Sequence, residues 1–147
     1  LRRPPVTVFA IFALAALGGS PPAVGADQTF KVIVHPNVQG SGIPREVLSS
    51  IFLRNVLRWG DGHLIRPVDQ SMRSPVREAF TQAVLAKSVD SMAYFWSEKI
   101  RSGITPPPVK SSDADVIEYV ASTEGAIGYV SASTPVPASV KALQVVN

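Results

Sequence analysis

The sequence contains no cysteine. Disulfide bridges and thiolate metal ligands are thereby excluded, so the fold must be held by packing and hydrogen bonding. Histidine is nearly absent too: His35 and His63 sit at separate turns, and no carboxylate is expected beside His63. There is no Gly-x-Ser-x-Gly, no His/acid cluster at metal-ligand spacing and no glycine-rich nucleotide loop. Asp61, Asp69 and Glu78 are isolated carboxylates that read as caps or rim charges rather than an acid–base pair. No catalytic residue, metal or cofactor is expected, and the chain is read as a binding module rather than an enzyme.

Two further shortages bear on partners. No apolar run reaches the roughly 18 residues that a membrane span requires. The apolar stretch Val6–Leu17 follows Arg2 and Arg3 and is broken by Gly18, Gly19, Ser20, Pro21 and Pro22 ahead of Val24-Gly25-Ala26. That order of basic, apolar and small residues is the order of a secretory signal peptide. Residues 1–26 are therefore expected to be a leader cleaved after Ala26, leaving residues 27–147 as one exported, periplasmic domain without a permanent membrane anchor. The formal net charge is +3, and losing Arg2 and Arg3 reduces it to +1. A nearly neutral domain gives no support to nucleic-acid binding, which wants Lys and Arg gathered on one face.

What is present alternates between strand and helix patterns. Phe30–Val34 is a β-branched run, stopped by His35-Pro36-Asn37 and followed by a Gly/Ser loop, in which Asn37 and Ser41 read either as ligand contacts or as a solvated turn. Pro44 opens a helix with Val47, Leu48, Ile51, Phe52 and Val56 on its apolar stripe. After the Trp59–Gly62 turn, Leu64–Val68 is a strand whose Pro67 demands an edge or strand end. A second helix from Ser74 turns Val76, Phe80, Val84 and Leu85 inward and leaves Arg77, Glu78 and Gln82 on the rim. A third, capped by Ser88, bears Val89, Met92, Phe95, Trp96 and Ile100. Ser112-Asp113-Ala114-Asp115 caps a fourth, Gly125 closes it, and the strands Ala126–Val130 and Val140–Val146 follow. Gly128, inside a buried strand, implies close approach by a neighbour. The fold class is α/β, a mixed sheet covered by helices.

The junction Asp69–Phe80 is the candidate site. Ser74 can cap the helix, and Pro75 fits its first position. The amides of Val76 and Arg77 are expected to face outward beside the guanidinium groups of Arg73 and Arg77, an arrangement that favours an anion. A helix start contributes at most about 2 kcal/mol to an anion, whereas micromolar affinity needs about 8 kcal/mol. A second wall is therefore required, from the Asn37–Gly42 loop or from another chain.

Ile51-Phe52-Leu53, Arg58–Gly62, Pro67-Val68, Ser74–Phe80, Tyr94-Phe95-Trp96, Pro106-Pro107 and Thr123–Val130 occur in the order found in phosphate-type substrate-binding proteins of ABC transporters. The chain resembles the short single-lobe members of that group. The resemblance implies a single lobe of a type II periplasmic-binding-protein-like fold and a loop that holds an oxyanion. Carried onto this chain, it places Ser71, Arg73, Ser74, Val76 and Arg77 at the site. It further implies an exported solute-binding module for phosphate or another small oxyanion, with ABC importer membrane subunits or another envelope protein as partner. The alternative is an accessory protein of an envelope transporter or sensor complex that reuses the fold without a small ligand. N-terminal sequencing of the exported protein is expected to begin at Asp27; a mature chain starting at Leu1 contradicts the leader.

Overall fold

The computed structural model describes residues 29–147. The expected leader and its cleavage point lie outside the described residues. Within them the elements are β1 (Phe30–Val34), β2 (Gly42–Pro44), α1 (Arg45–Phe52), β3 (Arg66–Pro67), β4 (Asp69–Gln70), α2 (Pro75–Phe80), α3 (Val89–Arg101), β5 (Val109–Lys110), α4 (Asp113–Ser122), β6 (Ala126–Ser131) and β7 (Lys141–Val146). The main sheet has the order β2-β7-β1-β6-β3. Central β1 runs antiparallel to β6 and β7, while β3 lies parallel to β6 and β2 parallel to β7. The expected mixed sheet is what forms.

Alternation along the central strands builds a layer on each face. Phe30, Val32 and Val34 of β1, with Ile127 and Tyr129 of β6, pack against Leu48, Ile51 and Phe52 of α1 and Val76 and Phe80 of α2. Ile33, Ala126 and Val130 point the other way, onto Val116 and Val120 of α4. The first layer is rich in aromatic rings. Phe80 stacks on Tyr129 at 3.9 Å and 5°, and Phe30 and Phe52 meet Phe80 edge-on.

Pro67 lies on an edge strand, as its missing N–H requires. Arg66 and Val68 donate to the Gly125 and Ile127 carbonyls, so residue 67 faces away from β6, where no ladder bond is lost. Ser88 and Ser112 accept from the Ser91 and Asp115 amides at 3.1 Å and so cap α3 and α4 as expected.

Several expectations need correction. Pro44 ends β2 and is the N-cap of α1; Val47 stands exposed within that helix, and Val56 stands exposed beyond its end at Phe52. Arg77 is buried, not on the rim. The second helix is not uniform: beyond Phe80 it widens into a π-helical turn, Thr81–Leu85, ending at left-handed Ala86. The Thr81 hydroxyl donates to the Arg77 carbonyl at 2.7 Å, a side-chain competitor for a helical acceptor at the point where the helix changes. Of the apolar residues on α3, Met92 is buried, Phe95 and Trp96 are half-buried and Ile100 is exposed. Phe95 and Trp96 shield one another edge to face at 5.0 Å.

Gly128 lies at a close approach of α4 to the sheet. A Cβ there would lie 2.7 Å from a Val68 methyl and 2.8 Å from a Val116 methyl. Both are stiff β-branched side chains in the core. Gly128→Ala is expected to destabilise the protein by about 1–3 kcal/mol in chemical denaturation; an unchanged midpoint would mean that α4 can move off the sheet without cost.

Candidate functional site

β4 and β5 form a separate two-stranded parallel ladder, with Asp69 beside Val109 and Gln70 beside Lys110. Each strand leads within a few residues into a helix, β4 into α2 and β5 into α4. The ladder thereby holds two helix starts side by side. Between them lies a hollow of about 390 Å³, lined on one side by Ser71, Arg73, Ser74 and Val76 and on the other by Ser111, Ser112 and Asp113, with Ser131 of β6 behind.

Gln70 underpins this hollow. Its side chain is buried, with Nε2 donating to Asp113 Oδ1 at 2.8 Å and to the Tyr129 carbonyl at 2.9 Å. Its Oε1 accepts from the Ser74 hydroxyl at 3.1 Å, and its backbone carbonyl accepts from Arg77 at 2.8 Å. Its amide donates to Asp69 Oδ1 at 2.9 Å and to the Tyr129 hydroxyl at 3.3 Å. Tyr129 in turn donates to Asp69. Burial, then the adjacent Asp69 carboxylate, drives the Tyr129 hydroxyl far above its ordinary range, which keeps it a protonated donor.

These bonds redirect two residues. Ser74 occupies the N-cap position of α2, and Pro75 follows as expected, but the Ser74 hydroxyl bonds Gln70 and makes no cap bond. Arg77 turns inward and does not line the hollow, its side chain 9% exposed and 3.4 Å from Asp69 Oδ2, with Nε lacking a partner. Its amide bonds to the Ser74 carbonyl at 3.1 Å and is not directed outward; the Val76 amide makes no such bond. Arg73 is exposed, and the ion pairs among the described residues are His63–Asp61, Arg77–Asp69 and Arg101–Glu98, so no ion pair neutralises it.

The structure brings Ser71, Arg73, Ser74 and Val76 together and leaves Arg77 outside the hollow's lining, paired with Asp69. It does not bring Asn37 or Ser41 to them. β1 and β6 are antiparallel and β3 is parallel to β6, so the loop after β1 lies at the opposite end of the sheet from the β3–β4 exit. Asn37 accepts from the Gly125 amide at 3.2 Å there, and Ser41 flanks β2 on the far edge, its carbonyl accepting from Gln144 at 2.9 Å. The expected second wall from Asn37–Gly42 is therefore replaced by the start of α4. The residues overlooked in the sequence are Gln70, Ser111, Ser112, Asp113 and Ser131. A signal existed for most of them, because a short extended segment followed by a Ser-initiated helix occurs twice, at Gln70–Pro75 and at Lys110–Asp113.

His63 also differs from expectation. Its Nδ1 lies 3.0 Å from Asp61 Oδ2, and hydrogen bonds from the His63 amide and then its ring hold the Asp61 carboxyl below its usual value. Among the described residues no three His, Asp or Glu side chains gather at metal-binding distance, and no helix is long and apolar enough to cross a membrane.

No protein-family profile matches the chain, and no curated protein does. Solved structures do match its fold. A phosphate transport receptor of the ABC type from Vibrio cholerae has a TM-score of 0.64 and 18% identity over 80% of this chain and 46% of its own. A putative phosphate ABC transporter substrate-binding protein from Clostridium perfringens, with phosphate bound, has a TM-score of 0.64 and 20% identity over 80% and 44%. PstS from Borrelia burgdorferi has a TM-score of 0.61 and 17% identity over 80% and 47%. The architecture is thus that of phosphate-receptor lobes, and the chain spans less than half the length of these receptors.

Asp113 supplies a pH test of the site's scaffold. Burial raises its carboxyl, but bonds from Thr134, Gln70 and the Ser131 amide outweigh it and leave the value below the ordinary 3.8. A lowered folded value contributes stability that is present above the unfolded value and is lost as pH falls through the folded one. Asp113→Asn is accordingly expected to be less stable at neutral pH and to lose stability less steeply below about pH 4 in urea titrations. An unchanged acid slope contradicts the bonding described.

Proposed function

We propose that this lobe is an exported solute-binding module that holds phosphate or a related small oxyanion between the starts of α2 and α4 and delivers it to ABC importer membrane subunits. The observation that carries the reading is the convergence on one hollow of two helix starts, the hydroxyls of Ser71, Ser112 and Ser131 and the unneutralised Arg73, the Ser74 and Ser111 hydroxyls donating instead to Gln70 and Asp115. Each helix start contributes about 0.3–1 kcal/mol, and a charge-assisted bond from arginine about 1.5–3 kcal/mol. With serine donors added, the sum falls between the roughly 4 kcal/mol of millimolar and the roughly 8 kcal/mol of micromolar binding. That range was out of reach for one corner alone.

The acidic wall selects among oxyanions. Asp113 Oδ1 has one protein donor, Gln70. An anion that keeps a proton, as hydrogen phosphate does, has a hydrogen to donate to a carboxylate oxygen; sulfate has none and meets only repulsion. The likeness in fold to receptors named for phosphate transport agrees with this choice and with the importer as partner. The apolar, Arg-led N-terminal segment supports export.

Calorimetric titration of the protein from Asp27 onward is expected to give a phosphate dissociation constant between about 1 µM and 1 mM, with sulfate weaker. Arg73→Gln should weaken phosphate by about tenfold. Absence of heat and of thermal stabilisation at millimolar phosphate would overturn the reading.

A further inference from the structure

Where the end of α1 meets β3 there is another hollow, of about 240 Å³, which shares no lining residue with the one between the helix starts. Arg54, Arg66, Leu64, Thr105, Tyr119 and the Pro106–Pro108 run border it. Arg54 sits just past the C-cap of α1 at φ 61°; its amide bonds the Ile51 carbonyl at 3.1 Å, and the Asn55 amide bonds the Ser50 carbonyl at 2.9 Å. Those two bonds make a Schellman ending, whose left-handed residue is ordinarily glycine because a Cβ is strained there. The turn itself gives no reason for a large cation at this position.

Its bonds give none either. Arg54 is half-buried, and the hydrogen bond its side chain makes runs from Nη1 to the Ile65 carbonyl at 3.5 Å, long for N–H···O. Its Nε is sealed in the interior and out of a ligand's reach. Among the described residues neither Arg54 nor Arg66 has an ion-pair partner. A guanidinium partly withdrawn from water without a counter-charge is costly. No Asp or Glu lines the hollow; Asp115 and Glu118 border a different one, which shares only Tyr119 with it. The other polar side chains present, Thr105 and Tyr119, carry hydroxyls able to donate.

This chemistry selects a different anion from the one proposed between the helix starts. Two unneutralised arginines with no acid beside them accept a fully ionised ligand, and the planar guanidinium fork matches a carboxylate. Leu64, 46% exposed, and the prolines offer apolar surface that suits methylene groups and returns no hydrogen bonds to sulfate or phosphate. A volume below that of drug-sized pockets limits the ligand to a few carbons. We infer that this hollow is a second binding site, for a free short-chain dicarboxylate whose carboxylates neutralise Arg54 and Arg66 and whose methylenes lie against Leu64 and the prolines. The inference stands independently of the oxyanion reading.

The test follows amide NMR shifts of the isotope-labelled protein during titration with succinate, butyrate and sulfate at constant ionic strength. Succinate is expected to shift Ile65, Thr105 and Tyr119 saturably, with a dissociation constant of about 1 mM, and butyrate and sulfate to bind about tenfold more weakly. Arg66→Gln, at an exposed position, should weaken succinate about tenfold. Arg54→Gly should abolish the succinate shifts and yet raise the denaturation midpoint, because glycine relieves the left-handed strain. A lowered midpoint in Arg54→Gly assigns that arginine to bracing the turn and overturns the inference. Equal responses to sulfate and succinate, shifts centred on Ser74 and Ser112 instead, or no saturation by about 20 mM succinate overturn it as well.

Discussion

The bonding of one buried amide, Gln70, sets the geometry on which the candidate site depends. A side-chain amide out of water must have its donors and acceptor met or cost several kcal/mol. Here they are met by Asp113, the Tyr129 carbonyl and Ser74, which belong to three different elements. The same residue's backbone engages Arg77, Asp69 and the Tyr129 hydroxyl. The start of α2, the start of α4 and the end of β6 are thereby locked in one arrangement. A two-residue ladder such as β4–β5 is too short to hold that arrangement alone.

The buried ion pair has a narrower role. Arg77 and Asp69 are 3.4 Å apart with little solvent, a geometry in which desolvation offsets much of the attraction. What the pair achieves is orientation: it draws one guanidinium into the interior and leaves Arg73 as the cation at the surface. The charge that faces the hollow is thus set by which arginine found an internal partner.

How much of this was legible in the sequence follows from how local each signal is. β1, the Leu48/Ile51/Phe52 face, the Ser88 and Ser112 caps, Pro67 at an edge and Gly128 at a close approach are all written within a few residues, in period, cap or backbone freedom. β2, β4 and β5 are two or three residues each and exist only because a distant partner lies alongside, so no local pattern marks them. The same holds for the site. Ser71, Arg73, Ser74 and Val76 are neighbours in the chain and were found as a group. Gln70 looked like an ordinary turn residue, and Arg77 like a rim charge, because their partners Asp113, Tyr129 and Asp69 are fixed by topology. Asn37 was misplaced for a related reason: that a loop follows a strand does not say at which end of a mixed sheet it emerges.

The edges of the main sheet carry a consequence of their own. An exposed outer strand offers free amides and carbonyls to any passing extended chain, which is how edge-to-edge aggregation begins. Here both outer strands are only two or three residues long, and each ends in proline, Pro44 on β2 and Pro67 on β3. On β3 the proline removes the one amide that would have faced outward, since its neighbours Arg66 and Val68 both bond inward. Among the described residues, strand length and proline placement thus blunt both borders of the sheet against self-templated growth.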